Sequence, residues 1–290
     1  MAVYNLGSIN ADNVYRVPHL VKPGETLAAY AFSQGLGGKG ANMSVAAARA
    51  AARVVHIGAV GADGRWATDR LMEYGVDTRH IAQVAETTGH ANICVDAQGE
   101  NAIVLYAGAN RSVSRDAIGA ALSQASAGDS FVTQNETNGQ DYAAKMARDL
   151  GLRVVYAAAP FDAQAVEAVM PYLDLLVLNE VEAAQLTAET GSNLADLPVS
   201  QIVVTMGGAG CKLWSKGQAS QVFPALDVTP VDTTGAGDTF TGYLVAGLDR
   251  GMPMAQAIDL ATHAAALMVT RIGTADVIPD LKEIQDHKLG

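Results

Sequence analysis

Asp238 closes a polar, glycine-rich run, Asp232-Thr233-Thr234-Gly235-Ala236-Gly237-Asp238, and an apolar run follows it. Phe240, Tyr243, Leu244 and Leu248 recur at helical spacing, which predicts a loop turning into a helix near Gly237. Gly235 and Gly237 strip side chains from the turn, so its backbone N–H groups can approach an anion. A carboxylate in that same turn would repel a resting phosphate. It makes sense if Asp238 removes the proton from a hydroxyl that attacks the phosphate. The competing reading is that Asp238 only complements the helix dipole.

Four further segments place polar residues just after strand-like runs. Gly7-Ser8-Ile9-Asn10-Ala11-Asp12 offers an amide and a carboxylate, or a capped turn. Gly35-Leu36-Gly37-Gly38-Lys39-Gly40-Ala41-Asn42 looks like a phosphate loop, but Lys39 is followed by Gly40 and not by Ser or Thr. Its glycines would let a ligand reach the backbone, and Asn42 would cap the helix or bind a hydroxyl. Gln134-Asn135-Glu136 supplies another carboxylate. Asn179-Glu180-Val181-Glu182 reads as a capping box or as a holder of the water shell of Mg²⁺, and the spacing favours the cap. A fifth segment, Thr205-Met206-Gly207-Gly208-Ala209-Gly210, is an anion-receptive turn or simply a tight hairpin.

Amides and carboxylates such as Asn10, Asp12, Asn42 and Glu136 both donate to and accept from hydroxyls, which suits a polyol. A phosphorylated sugar would call for several cations, and Lys39 is the only one in these motifs, so a neutral sugar is favoured.

The elements that must carry these residues alternate. Helix-like Asn42–Ala52 precedes strand-like Arg53–Val60; further strand candidates are Ser130–Thr133, Arg153–Ala157, Leu175–Leu178 and Ile202–Met206. Helical runs Asn138–Leu150, Ala163–Met170 and Glu180–Thr187 separate them. This pattern predicts an α/β fold, a mostly parallel sheet with helices on both faces, whose ligands sit at the carboxyl ends of strands. Two stretches break the alternation. Ala91–Val95 and Ala102–Tyr106 flank a hairpin signal, and Val14–Leu20 with Leu27–Ser33 flank Pro23-Gly24. Together they predict a small antiparallel β lid or dimer contact beside a single domain of residues 1–290, or else an edge extension of the main sheet.

The chain has 290 residues, 49% hydrophobic, and a net charge of −11. That charge leaves no basic face for nucleic acid. There is no run of eighteen apolar residues for a membrane span. The first residues form a strand-like run with no basic n-region and apolar core, and Cys94 and Cys211 lie far apart without metal-ligand partners, so a cytoplasmic protein with reduced thiols is expected.

Taken in order, Gly-Ser-Ile-Asn-Ala-Asp, Gly-Gly-Lys-Gly-Ala-Asn, Asn-Glu-x-Glu, Thr-x-Gly-x-x-Gly, Asp-Thr-Thr-Gly-Ala-Gly-Asp-Thr-Phe and Val269-Thr270-Arg271-Ile272-Gly273 resemble the ribokinase branch of the PfkB carbohydrate kinases from about Gly7 to Pro279. The resemblance implies ATP-dependent phosphorylation of a primary hydroxyl, with ribose favoured over another neutral sugar or a nucleoside. A silent sugar-binding protein is the reading from another class. The resemblance implies Asp238 as catalytic base and Gly235, Ala236 and Gly237 as anion hole. Asn10, Asp12, Gly38, Lys39, Asn42 and Glu136 fall on sugar-binding positions. Asn179 and Glu182 fall on Mg²⁺–phosphate positions; Thr205, Gly207, Gly208 and Gly210 line the nucleotide, with His263 or its neighbours near the adenine. Asp232, Thr234, Met268, Arg271, Gly273 and Val277 match positions that hold a monovalent cation such as K⁺, largely by backbone carbonyls. The family lid corresponds to residues 10–34 and 87–107, which implies a homodimer through it. Two departures stand out: Ala157-Ala158-Ala159-Pro160-Phe161 replaces an Asn-Pro-Ala-Pro-like run, and Asn92 enters a lid strand where ribokinases tend to be apolar. Because positioning dominates phosphoryl transfer, the base needs no strongly raised pKa.

Overall fold

The computed structural model describes residues 1–287. In chain order its strands are β1 (Ala2–Leu6), β2 (Asn10–Arg16), β3 (Ala31–Gly37), β4 (Arg53–Val60), β5 (Val76–Gln83), β6 (Gly89–Val95), β7 (Asn101–Tyr106), β8 (Ser130–Gln134), β9 (Arg153–Ala157), β10 (Leu175–Asn179), β11 (Gln201–Thr205), β12 (Cys211–Ser215) and β13 (Gln221–Phe223). The helices are α1 (Lys39–Arg49), α2 (Arg65–Glu73), α3 (Arg115–Leu122), α4 (Gln140–Asp149), α5 (Ala163–Val169), α6 (Glu180–Thr190), α7 (Ala236–Asp249), α8 (Met254–Met268) and α9 (Leu281–Asp286).

Nine strands form the main sheet in the order β13-β12-β11-β10-β9-β8-β1-β4-β5. The seven from β11 to β5 run parallel, and β12 and β13 add an antiparallel edge. The central strands are short apolar runs because both faces are covered. Their alternation assigns the two cores: Leu175, Val177 and Val203 face one, whereas Leu176, Leu178, Ile202 and Val204 face the other. The first core is filled by α1, α7 and α8 residues such as Met43, Tyr243, Leu244 and Met268; the second by α3–α6 residues such as Ile118, Ala144, Val166 and Leu186. Sequence order reverses between β1 and β8, so the carboxyl ends of those strands open a crevice there. No helix among the described residues is long and apolar enough to cross a membrane.

A separate four-stranded sheet, order β3-β2-β6-β7, forms the lid. Its β2–β3 and β6–β7 pairs are antiparallel, and β2 and β6 join in parallel at its centre. The first pair differs from the expected Val14–Leu20 and Leu27–Ser33. Pro18 and Pro23 hold the segment 18–29 out of the sheet, and the strands slide outward to take in Asn10, Asp12 and Gly37. Side chains that look like turn formers are there because one face of β2 lines the site.

The helix expected from Asn42 begins at Lys39. Gly40 opens it against the end of β1: a Cβ on Gly40 would lie 2.3 Å from the Gly7 Cα, and one on Gly7 would lie 2.5 Å from the Gly40 Cα. A Cβ on Gly37 would strike the Asp12 carboxylate, and one on Gly38 would press on Ser8 and Asn10 at about 3.0 Å. The glycines at 37, 38 and 40 are therefore required by protein segments meeting one another.

Candidate active site

The crevice between β1 and β8 is closed by a short strut. The Ser8 hydroxyl donates to Glu136 Oε2 at 2.5 Å, which also accepts from the Lys39 backbone N–H at 3.0 Å. The Gly40 N–H donates to Ser8 Oγ at 3.2 Å. Beneath it, Asn5 Nδ2 donates to the Gly40 carbonyl and to Ser44 Oγ, both at 2.8 Å, and Gln134 Nε2 donates to Asn5 Oδ1 at 2.9 Å. His56, neutral because burial pushes it down to about 4, bridges Ser44 and the Gly7 carbonyl. This buried network fixes the entry of α1, and with it Lys39 and Asn42.

Asp238 sits in the first turn of α7, buried, with Oδ2 accepting from Asn42 Nδ2 at 2.9 Å and Oδ1 3.9 Å from Lys39 Nζ. Burial pushes its carboxyl up, Lys39 and Asn42 pull it back, and Glu136 adds to the rise. The sequence argument required no such shift; the fold supplies one because α1 packs over the turn. Asn42 does not cap α1. Its Nδ2 is spent on Asp238, and its Oδ1 is buried without a partner among the described residues. A hydroxyl donor would satisfy that oxygen.

Asp12 projects from the same face of β2 as Asn10, two residues apart. Burial pushes its carboxyl up to about 7, with the charges of Glu136 and Asp238 adding to the effect. Asn10 Oδ1 accepts from Asn110 Nδ2 at 2.7 Å. Asp12, Lys39, Asn42, Glu136 and Asp238 are thus linked by hydrogen bonds and mutual charge, with Asn10 on the Asp12 face of β2 and Gly38 next to Lys39. Asn92 stays out of this group: it pairs with Asn13, accepts from Asn13 Nδ2 at 3.2 Å, and lies on the lid face opposite Asp12.

On the other side of Asp238 lies a cleft of about 280 Å³. Thr205, Gly207, Gly208 and Gly210 form one wall, and Ala236, Gly237 and Phe240 form its floor. A Cβ on Gly207, Gly208 or Gly237 would meet nothing within 4 Å, so these three glycines keep space for a ligand. Gly210 differs, because its Cβ would strike the Phe223 carbonyl at 2.0 Å, and it shapes the turn. The loop after β13 supplies Ala225, Leu226, Val228 and Pro230, an apolar wall with no polar signal in the sequence. Thr262, Ala265, Ala266 and Val269 of and after α8 complete it; His263 does not line it, and bonds through Nδ1 to the Asp259 carbonyl at 2.9 Å. Gly235, the N-cap of α7, is left-handed with φ 76°. The Ala236 N–H reaches the Thr233 carbonyl at 3.2 Å, which leaves the N–H groups of Gly237 and Asp238 as the orphan donors of the helix start.

Asn179 and Glu182 form a complete capping box at the start of α6: Asn179 Oδ1 accepts from the Glu182 N–H and Glu182 Oε2 from the Asn179 N–H, each at 2.8 Å. Burial raises the Glu182 carboxyl; the Asn179 N–H and the charge of Lys39 pull it back, and that of Asp238 adds to the rise. Asp232 Oδ1 accepts from the Thr234 N–H at 2.9 Å and Oδ2 from the Gly273 N–H at 3.2 Å, which ties the loop before α7 to the turn after α8. The Met268 side chain packs under Gly235. The Arg271 guanidinium turns away to the Val277 carbonyl and Glu283.

Clustered amides and carboxylates, a glycine-walled cleft and a buried carboxylate at a helix start are parts that phosphoryl transfer to a hydroxyl, the reaction of a phosphotransferase, can use. Residues 3–281 match the pfkB family of carbohydrate kinases, and the chain belongs to that family. It is 36% identical to the ribokinase of Haemophilus influenzae, over 96% of this chain and 95% of that one. The fold is similar to the ribokinase of Thermotoga maritima, with a TM-score of 0.90 at 30% identity over 99% of this chain and 98% of that one. It is also similar to the Arabidopsis thaliana ribokinase solved with ribose and ATP, with a TM-score of 0.88 at 27% identity over 99% and 98%.

Proposed function

We propose that this carbohydrate kinase transfers the γ-phosphoryl group of ATP to the primary hydroxyl of ribose, giving ribose 5-phosphate. The observation that carries the reading is the placement of Asp238. It is buried and held by Asn42 and Lys39, with the Asn10–Asp12–Glu136 space on one side and the Gly207–Gly208–Gly237 cleft on the other. The sugar is bound by Asn10, Asp12, Asn42 and Glu136 around the Gly38–Lys39 turn, and Lys39 is the only cation among these residues, which supports a neutral acceptor. Asp238 accepts the proton of the attacking hydroxyl, and its raised affinity for protons suits that role. The N–H groups of Gly237 and Asp238, at the positive end of α7, stabilise charge developing on the transferring group.

Mg²⁺, when bound with the nucleotide, neutralises phosphate charge. The donor set fits an ion that keeps most of its waters, since Glu182 Oε1 remains for water while Oε2 serves the cap. A monovalent cation such as K⁺ fits beside Asp232. Each carboxylate oxygen there accepts one hydrogen bond, from the Thr234 and Gly273 N–H groups, and retains capacity for more, and the carbonyls of Met268, Arg271, Gly273 and Val277 are the proposed further ligands. Its role would be to stiffen the anion-hole loop. The exposed apolar strand β7, with Val104 68% and Leu105 60% exposed, supports a homodimer through the lid. Unpaired Cys94 and Cys211 fit a reducing cytoplasm.

The test is ADP release with ATP and a panel of free sugars and nucleosides, for the wild type and Asp238→Asn. Ribose should be the preferred acceptor, and the variant should lose about 10²-fold or more in kcat while binding both substrates. A nucleoside preferred over ribose would move the protein to another acceptor class, and sugar binding without any ADP release would make it a binding protein.

A further inference from the structure

Asn110 follows the last lid strand, in the turn Gly108–Arg111, and is 1% exposed. Its Oδ1 accepts from the Ile9 backbone N–H at 2.9 Å, and its Nδ2 donates to Asn10 Oδ1 at 2.7 Å. A backbone N–H can only donate, so the orientation of the Asn110 amide is not free: its oxygen must face Ile9 and its nitrogen must face Asn10. That in turn settles Asn10. With its carbonyl held by Asn110, Asn10 can present only its NH₂ group to the space it shares with Asp12.

We propose that Asn110 is a positioning residue for the acceptor, which locks Asn10 as a donor beside the acceptor carboxylate of Asp12. A donor and an acceptor on one strand face, two residues apart, read adjacent hydroxyls of opposite hydrogen-bonding role, as a furanose diol offers. The inference rests on the sugar-kinase reading and specifies how that site recognises its substrate. The lid is built around this contact. Gly89 opens β6 beside the pair, and a Cβ there would lie 2.1 Å from Asn110 Nδ2 and 2.5 Å from Asn10 Oδ1. Three lid roots, at residues 10, 89 and 110, therefore meet at one amide–amide bond. A glycine is required where the second of them passes.

Two variants test this. Asn110→Asp keeps the acceptor for Ile9 but offers no donor to Asn10, so Asn10 must turn its nitrogen inward and present its carbonyl to the sugar. Gly89→Ala wedges the pair apart without altering either amide. For both, the KM for ribose at saturating ATP should rise about ten- to hundredfold, with the KM for ATP within about twofold and kcat within about threefold of wild type. Repeated with singly deoxygenated riboses, the penalty should collapse for the one sugar that lacks the oxygen Asn10 serves. A merely structural role would not select one hydroxyl. A wild-type KM in Asn110→Asp, a penalty equal across all the deoxy sugars, or an equal rise in the KM for ATP would overturn the role of Asn110 and leave the kinase reading intact. A wild type that releases no ADP with any sugar would overturn that reading, and the role of Asn110 with it.

Discussion

Sugar capture should depend on pH through Asp12. Buried against Glu136 and Asp238, its carboxyl ionises at about 7 in the ligand-free protein. Hydroxyl donors from a bound sugar stabilise the charged form, so binding favours ionised Asp12 and weakens as the group takes up a proton. A carboxyl titrating near 7 is about 90% charged at pH 8 and about 10% at pH 6, which gives about a tenfold loss of sugar affinity between the two. The assay should avoid the chemistry, since Asp238 is also raised and would depress kcat on the same acid side. Calorimetric titration with 5-deoxyribose, which lacks the hydroxyl to be phosphorylated, isolates binding. Asp12→Asn should bind more weakly but with no slope from pH 6 to 8. An affinity flat with pH in the wild type, or an unchanged slope in Asp12→Asn, would refute the assignment. Stability carries the same signature with a definite sign. The folded, ligand-free protein holds a proton on Asp12 that the unfolded chain loses above about 4. This contribution therefore favours folding at low pH and is lost as pH rises through about 7.

Gly237→Ala should leave the melting temperature within about 2 °C, because its Cβ meets no protein atom, yet lower kcat/KM about tenfold or more by crowding the transferring group. Gly40→Ala should do the opposite in kind, costing about 1–3 kcal/mol of stability in a denaturant titration through its clash with Gly7. Activity should rise with K⁺ and not with an equal ionic strength of tetramethylammonium, and Asp232→Ala should abolish that response; a flat response to both salts would remove the cation site. Light scattering should give a dimer mass for the wild type and a monomer for Val104→Asp, and a wild-type monomer at working concentration would end the lid-dimer reading.

Runs such as Leu175–Leu178 were legible because burial on both faces demands a purely apolar strand, and the turn before Asp238 because its glycines and carboxylate share one helix start. Other parts were not, for identifiable reasons. Residues 10–16 carry Asn10, Asp12 and Asn13, which signal turns locally; only the site on one face of β2 explains them in a strand. The close packing of the glycines before Asn42 was hidden because the groups they meet, at Gly7, Ser8 and Asp12, lie about thirty residues away in sequence. The cleft wall from Ala225 to Pro230 is apolar and irregular, and no periodicity marks it. Asn110 is a lone amide after an apolar strand, the commonest kind of turn residue. Its role exists only through contacts a hundred positions apart.

Asn42 joins α1 to Asp238, and Gly242 lets α1 and α7 touch, its Cβ position lying 2.5 Å from that of Ala46 and 2.6 Å from the Met43 carbonyl. Asn42 and Asp238, proposed to grip the acceptor near its reacting end and to deprotonate it, thus sit on two closely packed helices. Asn10 and Asp12 come from the separate four-stranded sheet, so on the proposed reading side chains along β2 and β6 can be exchanged during divergence while the Asn42–Asp238 contact stays unaltered.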